Sequence, residues 1–266
     1  LRSAGEEAIY EIESLHRRLN LYDPSSDVSR INAYAAEGPV KTDAEVFSLI
    51  RESVRISRET DGAFDITITP LLKAWGFTGG GGRVPEPEML EAARAATGIS
   101  NIILDDEKYT VKFVCSGVSL DMGAIAKGYA IERAVDILLQ NGVSGAIIHG
   151  GTSSVYAIGN QPDSGKWRVG VESGGIRRVF ELCDSAMSVS AVQGKSFTWD
   201  GVEYGHVLDL ATGYPCSGTS AAVVTGPSPT LCDALSTAAI VLGIDAPTII
   251  EKKFPLYSCF TGTESP

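Results

Sequence analysis

The chain has 266 residues, of which 22 are Lys or Arg and 33 are Asp or Glu, so its formal net charge is −11. A hydrophobic content of 44% and a charged content of 21% are typical of a globular protein and exclude a disordered or fibrous chain. A chain this acidic repels phosphate, which argues against nucleic acid or an anionic membrane surface as its partner.

The five cysteines are widely spaced and form no CxxC pair, so neither a zinc site nor a redox motif is predicted. Small buried thiols are expected instead, although one or two disulfides stay open as an alternative. Because no run approaches the ~18 unbroken apolar residues of a membrane span, no transmembrane segment is predicted. The first residues also lack the pattern of a signal peptide.

Helices are predicted where apolar residues recur at three- and four-residue steps between recognisable start and stop signals. They are expected at 3–20, at 43–60, between Pro87 and Thr97, from near Gly123 to Gln140, and at 229–242. The fourth has the clearest end, because Asn141-Gly142 is a typical C-terminal stop.

Strands are predicted where short apolar runs lie between turn-forming residues. They are expected at 64–69, 101–105, 109–114, 146–148, 154–158, 167–172, 177–182 and 219–225. Helices and strands are mixed without strict alternation, and no linker or internal repeat separates them. The pattern therefore predicts an α+β fold with mixed, mainly antiparallel sheets and packed helices, in one domain over 1–266.

The first chemical candidate is the segment 119–128, where a strand end is expected to run into the start of a helix. Gly123 and Ala124 allow a ligand to approach the backbone, and Lys127 adds a positive charge to the free N–H groups of the helix start. These features suit a phosphate, although a packed helix start with a solvated lysine explains them too. The Walker pattern GxxxxGK[ST] fails at Gly194-Lys195 because position 189 is Val.

The second candidate is the start of the helix predicted at 229–242. Asp233, Ser236 and Thr237 occupy positions i, i+3 and i+4, so their oxygens share one helix face. Carboxylate and hydroxyl oxygens suit a hard cation such as Mg²⁺. The alternative is that Asp233 interacts only with the helix dipole and that the two hydroxyls bond back to carbonyls.

The histidines give a third candidate. His206 is expected on a strand before a turn, where it is either a general base or a structural residue. His149 precedes Gly150-Gly151 and resembles the oxyanion loop of hydrolases, but no GxSxG accompanies it. An α/β-hydrolase is therefore excluded.

Taken in order, these segments resemble one family along nearly the whole chain, the ApbE-type FAD:protein FMN transferases. The matching motifs are Tyr22-x-Pro24-Ser25, Ser29-Arg30-Ile31-Asn32, Gly62-x-Phe64-Asp65, Pro70-Leu71, Asp121-x-Gly123-Ala124-Ile125-Ala126-Lys127-Gly128, Gly150-Gly151, His206-x-x-Asp209, Thr212-Gly213-x-Pro215 and Asp233-Ala234-Leu235-Ser236-Thr237.

The resemblance implies an enzyme that uses Mg²⁺ to transfer FMN from FAD to a Ser or Thr of an acceptor flavoprotein subunit, with release of AMP. It implies metal ligands at Asp233, Thr237, Ser236 and the carbonyl of Ala124, and it makes His206 the base for the acceptor hydroxyl. The implied cofactor-binding residues are Tyr22, Asn32, Ala63, Phe64, Asp65, Asp121, Lys127 and Val207.

Several positions depart from the family pattern. Asp209-Leu210 replaces Asp-Pro, Thr152-Ser153 follows Gly150-Gly151 where Asn or Asp is common, and Ser190-Ala191-Val192-Gln193 stands where Ser-Gly and a tyrosine are often seen. The family's first strand is expected to be missing before Leu1. These departures concern the side of the acceptor protein and leave the expected metal ligands intact.

Two other functions stay open from the sequence, namely a Mg²⁺-dependent FAD pyrophosphatase that gives FMN and AMP, and a non-catalytic FAD-binding protein. The resemblance implies the bacterial cell envelope or periplasm as the location, with the cytoplasm as the alternative.

Overall fold

A computed structural model describes residues 2–162, 165–192 and 196–263. Leu1, Gln193, Gly194 and Lys195, which enter the expectations above, lie outside these ranges. The chain divides into two compact units. The first unit comprises Leu1–His16, Gly123–Val192 and Ser217–Pro266, and the second comprises Arg17–Met122 and Gln193–Cys216.

The first unit is built on an antiparallel sheet of five strands, which are β4 (Ala146–Gly150), β5 (Ser154–Ile158), β8 (Ser185–Ala191), β11 (Ala221–Gly226) and β12 (Ser258–Gly262). Their order across the sheet is β12-β11-β8-β5-β4. A separate hairpin is formed by β6 (Trp167–Ser173) and β7 (Ile176–Leu182). Strands β8 and β12 were not predicted, and the other strands follow the sequence pattern closely.

Strands β5 and β11 are covered on both faces, which explains their largely apolar sequences. All five residues of β5 are buried. One face, including Val155 and Val223, packs against Phe180 and Leu182 of the β6–β7 hairpin. Helix α7 (Pro229–Leu242) contacts β5, β8 and β11 and supplies a second apolar layer.

Three further helices belong wholly or partly to this unit. They are α1 (Arg2–Leu19), α6 (Ala126–Gln140) and α8 (Ala246–Lys253). Helix α7 begins with Pro229 at its first turn, and the Ser228 hydroxyl accepts a hydrogen bond from Leu231 N at 3.2 Å. It ends at Gly243, whose φ is +68°.

The stretch Pro229–Lys253 has the length and composition of a membrane span, and half of its most apolar window is buried within the protein. A buried core helix meets the same criteria. Because ten residues of α7 are buried in this unit, its apolar character follows from its position against the sheet.

The second unit is mainly helical. Its helices are α2 (Asp27–Tyr34), α3 (Ala44–Glu59), α4 (Thr69–Ala74) and α5 (Pro87–Ala95). Its strands are β1 (Val40–Lys41), β2 (Ile102–Asp105) and β3 (Thr110–Phe113) in the order β1-β3-β2, and the hairpin of β9 (Ser196–Trp199) and β10 (Val202–Gly205). Helices α2, α4 and α8 and the strands β1 and β9 were not predicted.

The strand expected at 64–69 is wrong. Asp61 and Gly62 adopt positive φ angles of 53° and 83°, and the chain then turns into α4 at Thr69. The Asp65 carboxylate accepts hydrogen bonds from Thr67 N at 2.7 Å and from Thr67 Oγ1 at 2.6 Å, which holds the segment in a local turn. Pro70 lies in the first turn of α4, where proline favours the start of a helix over the hydrogen-bonding pattern of a β-strand.

Two further local expectations are wrong. The segment before Gly123 is not a strand end, because β3 ends at Phe113 and the Leu120 N–H donates to the Asn32 side chain. His206 lies immediately after β10, which ends at Gly205, and not within a strand.

Trp75 lies at the centre of an apolar cluster in the second unit. Its side chain is completely buried among Leu71, Leu90 and Leu208. Its indole Nε1 donates to the buried carbonyl of Gly213 at 2.7 Å, which ties the turn after His206 to helix α4. Aromatic rings of Tyr204 and Tyr214 lie within 5.4 Å of the Trp75 ring, measured between centroids.

We expect Trp75→Phe to lower the free energy of unfolding by about 1–3 kcal/mol, because the Gly213 carbonyl loses its donor inside the core. Urea denaturation measures this change. Trp199→Phe is the matched control, since Trp199 is 54% exposed and its replacement should shift the stability by less than about 0.5 kcal/mol. Equal effects of the two substitutions would contradict this interpretation.

Candidate functional site

The structure places the predicted site residues in both units, and each group is described within its own unit. The first unit contains Ala124, Lys127, Asp233, Ser236 and Thr237. The second unit contains Tyr22, Asn32, Ala63, Phe64, Asp65, Asp121, His206 and Val207.

Asp233 is the centre of the group in the first unit. Its side chain is only 5% exposed, and it accepts hydrogen bonds from Gly128 N at 3.0 Å and from Ser154 Oγ at 3.2 Å. The ammonium of Lys127 lies 3.3 Å from Oδ1. A buried carboxylate is costly unless it is paired and hydrogen-bonded, and all these partners reach Asp233.

Lys127 joins the beginning of α6 to the beginning of α7. Its Nζ donates to the carbonyl of Gly123 at 3.1 Å while it contacts Asp233. Its side chain is 44% exposed, so the ammonium stays accessible to an anionic ligand. Ala124 lies beside it in the turn that precedes α6.

The two helices approach each other closely at Gly128. A Cβ at this position would lie 2.2 Å from the carbonyl oxygen of Pro229 and 2.7 Å from the Asp233 Cβ. On the next turn of α6, Glu132 accepts a hydrogen bond from Ser228 Oγ at 2.9 Å and a short one from Thr230 Oγ1. The absence of a side chain at Gly128 therefore brings the Asp233 carboxylate within reach of the α6 backbone.

A group of hydroxyls lies one turn further along α7. Ser190 Oγ of β8 is 2.8 Å from Ser236 Oγ and 3.2 Å from Thr237 Oγ1. Ser236 also donates to the carbonyl of Asp233 at 2.9 Å, which is one of the back-bonds that the sequence left open. Cys232, the residue before Asp233, contacts the carbonyl of Ala186 through its thiol at 3.9 Å, and burial raises the pKa of this thiol well above its usual range.

In the second unit, Asn32 holds the segment that leads to Asp121. Its side-chain nitrogen donates to the carbonyl of Leu120 at 3.0 Å, and its oxygen accepts from Leu120 N at 2.7 Å. The next backbone N–H, that of Asp121, donates to the carbonyl of Ile66 at 2.7 Å. Asn32 therefore fixes the backbone at 120–121 by a two-point contact.

Asp65 organises the turn that contains Ala63 and Phe64. Besides Thr67, its carboxylate receives hydrogen bonds from Ser57 Oγ at 3.2 Å and Ile99 N at 3.1 Å. Burial raises the pKa of Asp65, while these hydrogen bonds oppose the rise. Because the Phe64 ring lies in the core, a ligand at this turn can meet only the backbone of Phe64.

His206 is half-buried beside an aromatic ring, whereas Tyr22 is largely exposed. The His206 ring lies edge-on to Phe77, with 6.5 Å between the ring centroids. The following residue, Val207, is buried, and its carbonyl accepts a hydrogen bond from Cys216 N at 2.8 Å. Tyr22 is 74% exposed in the turn after α1, where its ring is free to stack on a flat ligand.

Over the described ranges, the structure contains no group of three or more His, Cys, Asp or Glu side chains close enough to share a metal ion. A cation at Asp233 would therefore depend on hydroxyl and carbonyl oxygens besides the carboxylate. A cavity of about 630 Å³ in the first unit, bordered by Arg178, Phe180 and Phe260, contains none of the predicted site residues in its lining.

Sequence reasoning missed three residues that contact the predicted site in the first unit. These are Ser154 and Gly128, which donate to Asp233, and Ser190, which contacts Ser236 and Thr237. Gly128 is part of the 121–128 motif, but its role depends on the approach of α7. Ser154 and Ser190 lie on neighbouring strands of the sheet, and only the strand order shows that both face α7.

The comparisons with known proteins agree along the chain. A family model described as the ApbE family matches residues 2–260. The chain is 28% identical over 241 residues to the FAD:protein FMN transferase of Vibrio cholerae, which covers 87% of this chain and 71% of that protein.

Two solved structures are similar throughout. The crystal structure of an ApbE protein from Thermotoga maritima has a TM-score of 0.89 and 32% identity, with 98% of this chain and 86% of the other covered. The apo flavinyl transferase ApbE of Pseudomonas stutzeri also has a TM-score of 0.89, at 31% identity, with 100% and 84% covered. Both likenesses bear out the mixed α+β fold with antiparallel sheets and packed helices.

We expect Gly128→Ala to destabilise the protein, because the added Cβ meets the Pro229 carbonyl and the Asp233 side chain and forces α6 away from α7. A thermal melt measures the effect, and Gly5→Ala is the matched control. Gly5 also lies in a helix, but nothing lies within 4 Å of its Cβ position, so alanine should raise the stability by about 0.5–1 kcal/mol. A Gly128→Ala protein that melts as high as the Gly5→Ala protein would disprove the close approach.

Proposed function

Because the chain belongs to the ApbE family, we propose that it is an FAD:protein FMN transferase. In this reaction FMN passes from FAD to a Ser or Thr hydroxyl of an acceptor flavoprotein, and AMP is released. The observation that carries the proposal is the contact of Lys127 with Asp233 where α6 and α7 begin. It brings one accessible cation, one buried carboxylate and a helix N-terminus together, which suits a diphosphate and its counter-ion.

The residues around Asp233 fit Mg²⁺ by their chemistry. Mg²⁺ prefers oxygen ligands, needs few from the protein, and leaves its other positions to water and phosphate. Asp233, Thr237 and the carbonyl of Ala124 would hold it, with Ser236 as the fourth residue that the resemblance implies. When bound, Mg²⁺ would neutralise charge on the diphosphate and on the departing AMP.

Lys127 has two anionic partners in this proposal. In the structure its ammonium contacts Asp233, and its accessible side chain is able to turn to a phosphate oxygen when a cation occupies the carboxylate. Positive charge at this point is needed because the chain as a whole carries −11 and repels FAD. We therefore assign Lys127 to binding the diphosphate and Asp233 to binding the cation.

The chemical step transfers a phosphoryl group. The acceptor hydroxyl oxygen forms a bond to the phosphorus on the flavin side, the bond from that phosphorus to the bridging oxygen breaks, and AMP leaves with that oxygen. His206 takes the hydroxyl proton, since its imidazole is the titratable base that the family motif places for this role. Tyr22, Asn32, Asp65 and Asp121, with the backbone of Ala63, Phe64 and Val207, are assigned to binding or shaping the FAD site.

We propose that both units act as one domain over 1–266. The chain passes from one unit to the other after His16, Met122, Val192 and Cys216, whereas separate domains are normally joined by few connections. We further propose the bacterial cell envelope as the location, which the family resemblance supports. Fractionation with antibodies distinguishes this location from the cytoplasm.

The first test is a mass measurement. Purified protein is incubated with FAD, Mg²⁺ and a candidate acceptor domain, and the acceptor should gain the mass of FMN while AMP appears in equal amount. AMP without an acceptor adduct would identify an FAD pyrophosphatase instead. FAD binding with neither product would identify a non-catalytic FAD-binding protein.

We expect Asp233→Ala to abolish Mg²⁺-dependent release of AMP, because the substitution removes the only carboxylate assigned to the cation. Asp245→Ala is the control, since Asp245 is an exposed acidic residue in the same unit. The rate of AMP release is measured at several Mg²⁺ concentrations. Full activity of the Asp233→Ala protein would show that the metal assignment is wrong.

We expect His206→Ala to slow FMN transfer by roughly 10²- to 10⁴-fold, the usual contribution of a positioned general base, while FAD binding changes little. His16→Ala is the control, because His16 is an exposed histidine of α1. Single-turnover transfer measures the chemical step, and fluorescence of FAD measures binding. An unchanged transfer rate would remove His206 from the mechanism.

A further inference from the structure

Three hydroxyls of the first unit form a connected group beside Asp233. Ser190 of β8 contacts both Ser236 and Thr237 of α7, at 2.8 Å and 3.2 Å between the oxygens. The family resemblance implies a role in metal binding for Ser236 and Thr237, whereas Ser190 has no assigned role there. Its position between them raises the question of which way each hydroxyl proton points.

One bond in the group has a fixed direction. A carbonyl oxygen only accepts, so Ser236 must be the donor in its 2.9 Å bond to the carbonyl of Asp233. A hydroxyl has a single proton to donate. In the contact between Ser190 and Ser236, Ser190 is therefore the donor and Ser236 the acceptor.

The same argument fixes the remaining bond. Ser190 has used its proton on Ser236, so the 3.2 Å contact between Ser190 and Thr237 requires Thr237 to donate. The protons thus run in one direction, from Thr237 to Ser190, from Ser190 to Ser236, and from Ser236 to the Asp233 carbonyl. Thr237 therefore presents only oxygen lone pairs to any other partner.

The two hydroxyls of α7 differ in what they are able to bind. Ser236 is 0% exposed and its oxygen already takes part in two hydrogen bonds. Thr237 is partly exposed, and its one hydrogen bond among the described residues uses its proton and leaves its lone pairs available. A hard cation binds lone pairs, so Thr237 suits it better than Ser236.

We propose that Ser190 is a positioning residue that orients the Thr237 hydroxyl so that its lone pairs are available to the cation. Ser236 accepts the hydrogen bond from Ser190 and does not bind the cation itself. The inference rests on the proposed Mg²⁺ site and deepens it. Partners that orient a ligand in this way raise metal affinity because the ligand does not have to reorient on binding.

The test measures cation binding to the whole protein without FAD, by calorimetry with Mg²⁺ and by electron paramagnetic resonance with Mn²⁺. Ser190→Ala should weaken binding by roughly 10-fold, the lower end of the range for such partners. With FAD present, the Mg²⁺ concentration for half-maximal activity should rise by the same factor, while kcat at saturating Mg²⁺ stays within about twofold. Ser190→Thr keeps the hydroxyl and should restore binding.

Ser188→Ala is the matched control. Ser188 lies on the same strand, is completely buried, and its Oγ has no hydrogen-bond partner within the described part of the chain. The same chemical change there should leave cation binding within about twofold. A parallel loss in Ser188→Ala and Ser190→Ala, or no rescue by Ser190→Thr, would show that packing of β8 matters and that the hydroxyl chain does not.

Two more variants distinguish the hydroxyl that binds the cation from the hydroxyls that orient it. Thr237→Val should weaken binding at least as much as Ser190→Ala, and Ser236→Ala should weaken it less than either. Equal losses in Thr237→Val and Ser236→Ala would overturn the assignment of Ser236. Should Ser190→Ala fail to fold in a thermal melt, the comparison of Thr237→Val with Ser236→Ala still decides the direction of the hydrogen bonds among the three hydroxyls.

Asp233→Ala distinguishes failure of the inference from failure of the proposed function. If it loses cation binding while Ser190→Ala binds like the unaltered protein, the metal site stands and the role of Ser190 is disproved. If neither the unaltered protein nor Asp233→Ala binds a cation even with FAD present, the metal site itself is disproved and the inference falls with it.

Discussion

The arrangement of the first unit depends on one buried carboxylate. Asp233 lies in the first turns of a helix that packs against the sheet and is itself buried, so its charge cannot be solvated by bulk water. The protein compensates with an ammonium and a backbone N–H from the start of α6 and with a hydroxyl from β5. Because these partners come from α6 and β5 whereas Asp233 lies on α7, the carboxylate also fixes how the three elements meet.

The close approach of α6 to α7 is a second consequence of the same requirement. The Gly128 N–H reaches Asp233 only because no side chain separates the helices at that point. Glu132 then bonds to Ser228 and Thr230 at the first turn of α7, where a carboxylate interacts favourably with the helix dipole. Asp233 of α7 thus accepts a hydrogen bond from the start of α6, and Glu132 of α6 accepts hydrogen bonds from the start of α7. These reciprocal contacts fix the positions of Lys127 and Asp233.

Much of this could be predicted from the sequence because its signals are local. The bounds of α7 and β5 follow from capping residues and from short apolar runs between turns, and Asp233, Ser236 and Thr237 share a helix face by spacing alone. The family motifs added the functional hypothesis, and the ApbE match over residues 2–260 supports it. The α+β class also follows from the mixture of elements.

What the sequence left out depends on contacts between distant segments. Strand β8 has small residues, Ser185 to Ala191, whose apolar character is weak, and only its pairing with β5 and β11 makes it a central strand. The segment 64–69 alternates like a strand, but the carboxylate of Asp65 accepts a hydrogen bond from the backbone N–H of Thr67, which holds the segment in a turn. In both cases a tertiary or side-chain hydrogen bond outweighed the local pattern.

The charge of the chain connects these local features to the function. With a net charge of −11, the protein repels an anionic dinucleotide at long range, so attraction must arise within a few ångströms of the site. Lys127 is already engaged by Asp233, and one ammonium balances one carboxylate and leaves little net positive charge for a diphosphate. The divalent cation proposed at Asp233 would change that balance, because it would leave the ammonium for the phosphates and add positive charge of its own. The acidity of the chain and the buried Asp233 carboxylate therefore favour the proposal that the anionic substrate binds together with a metal ion.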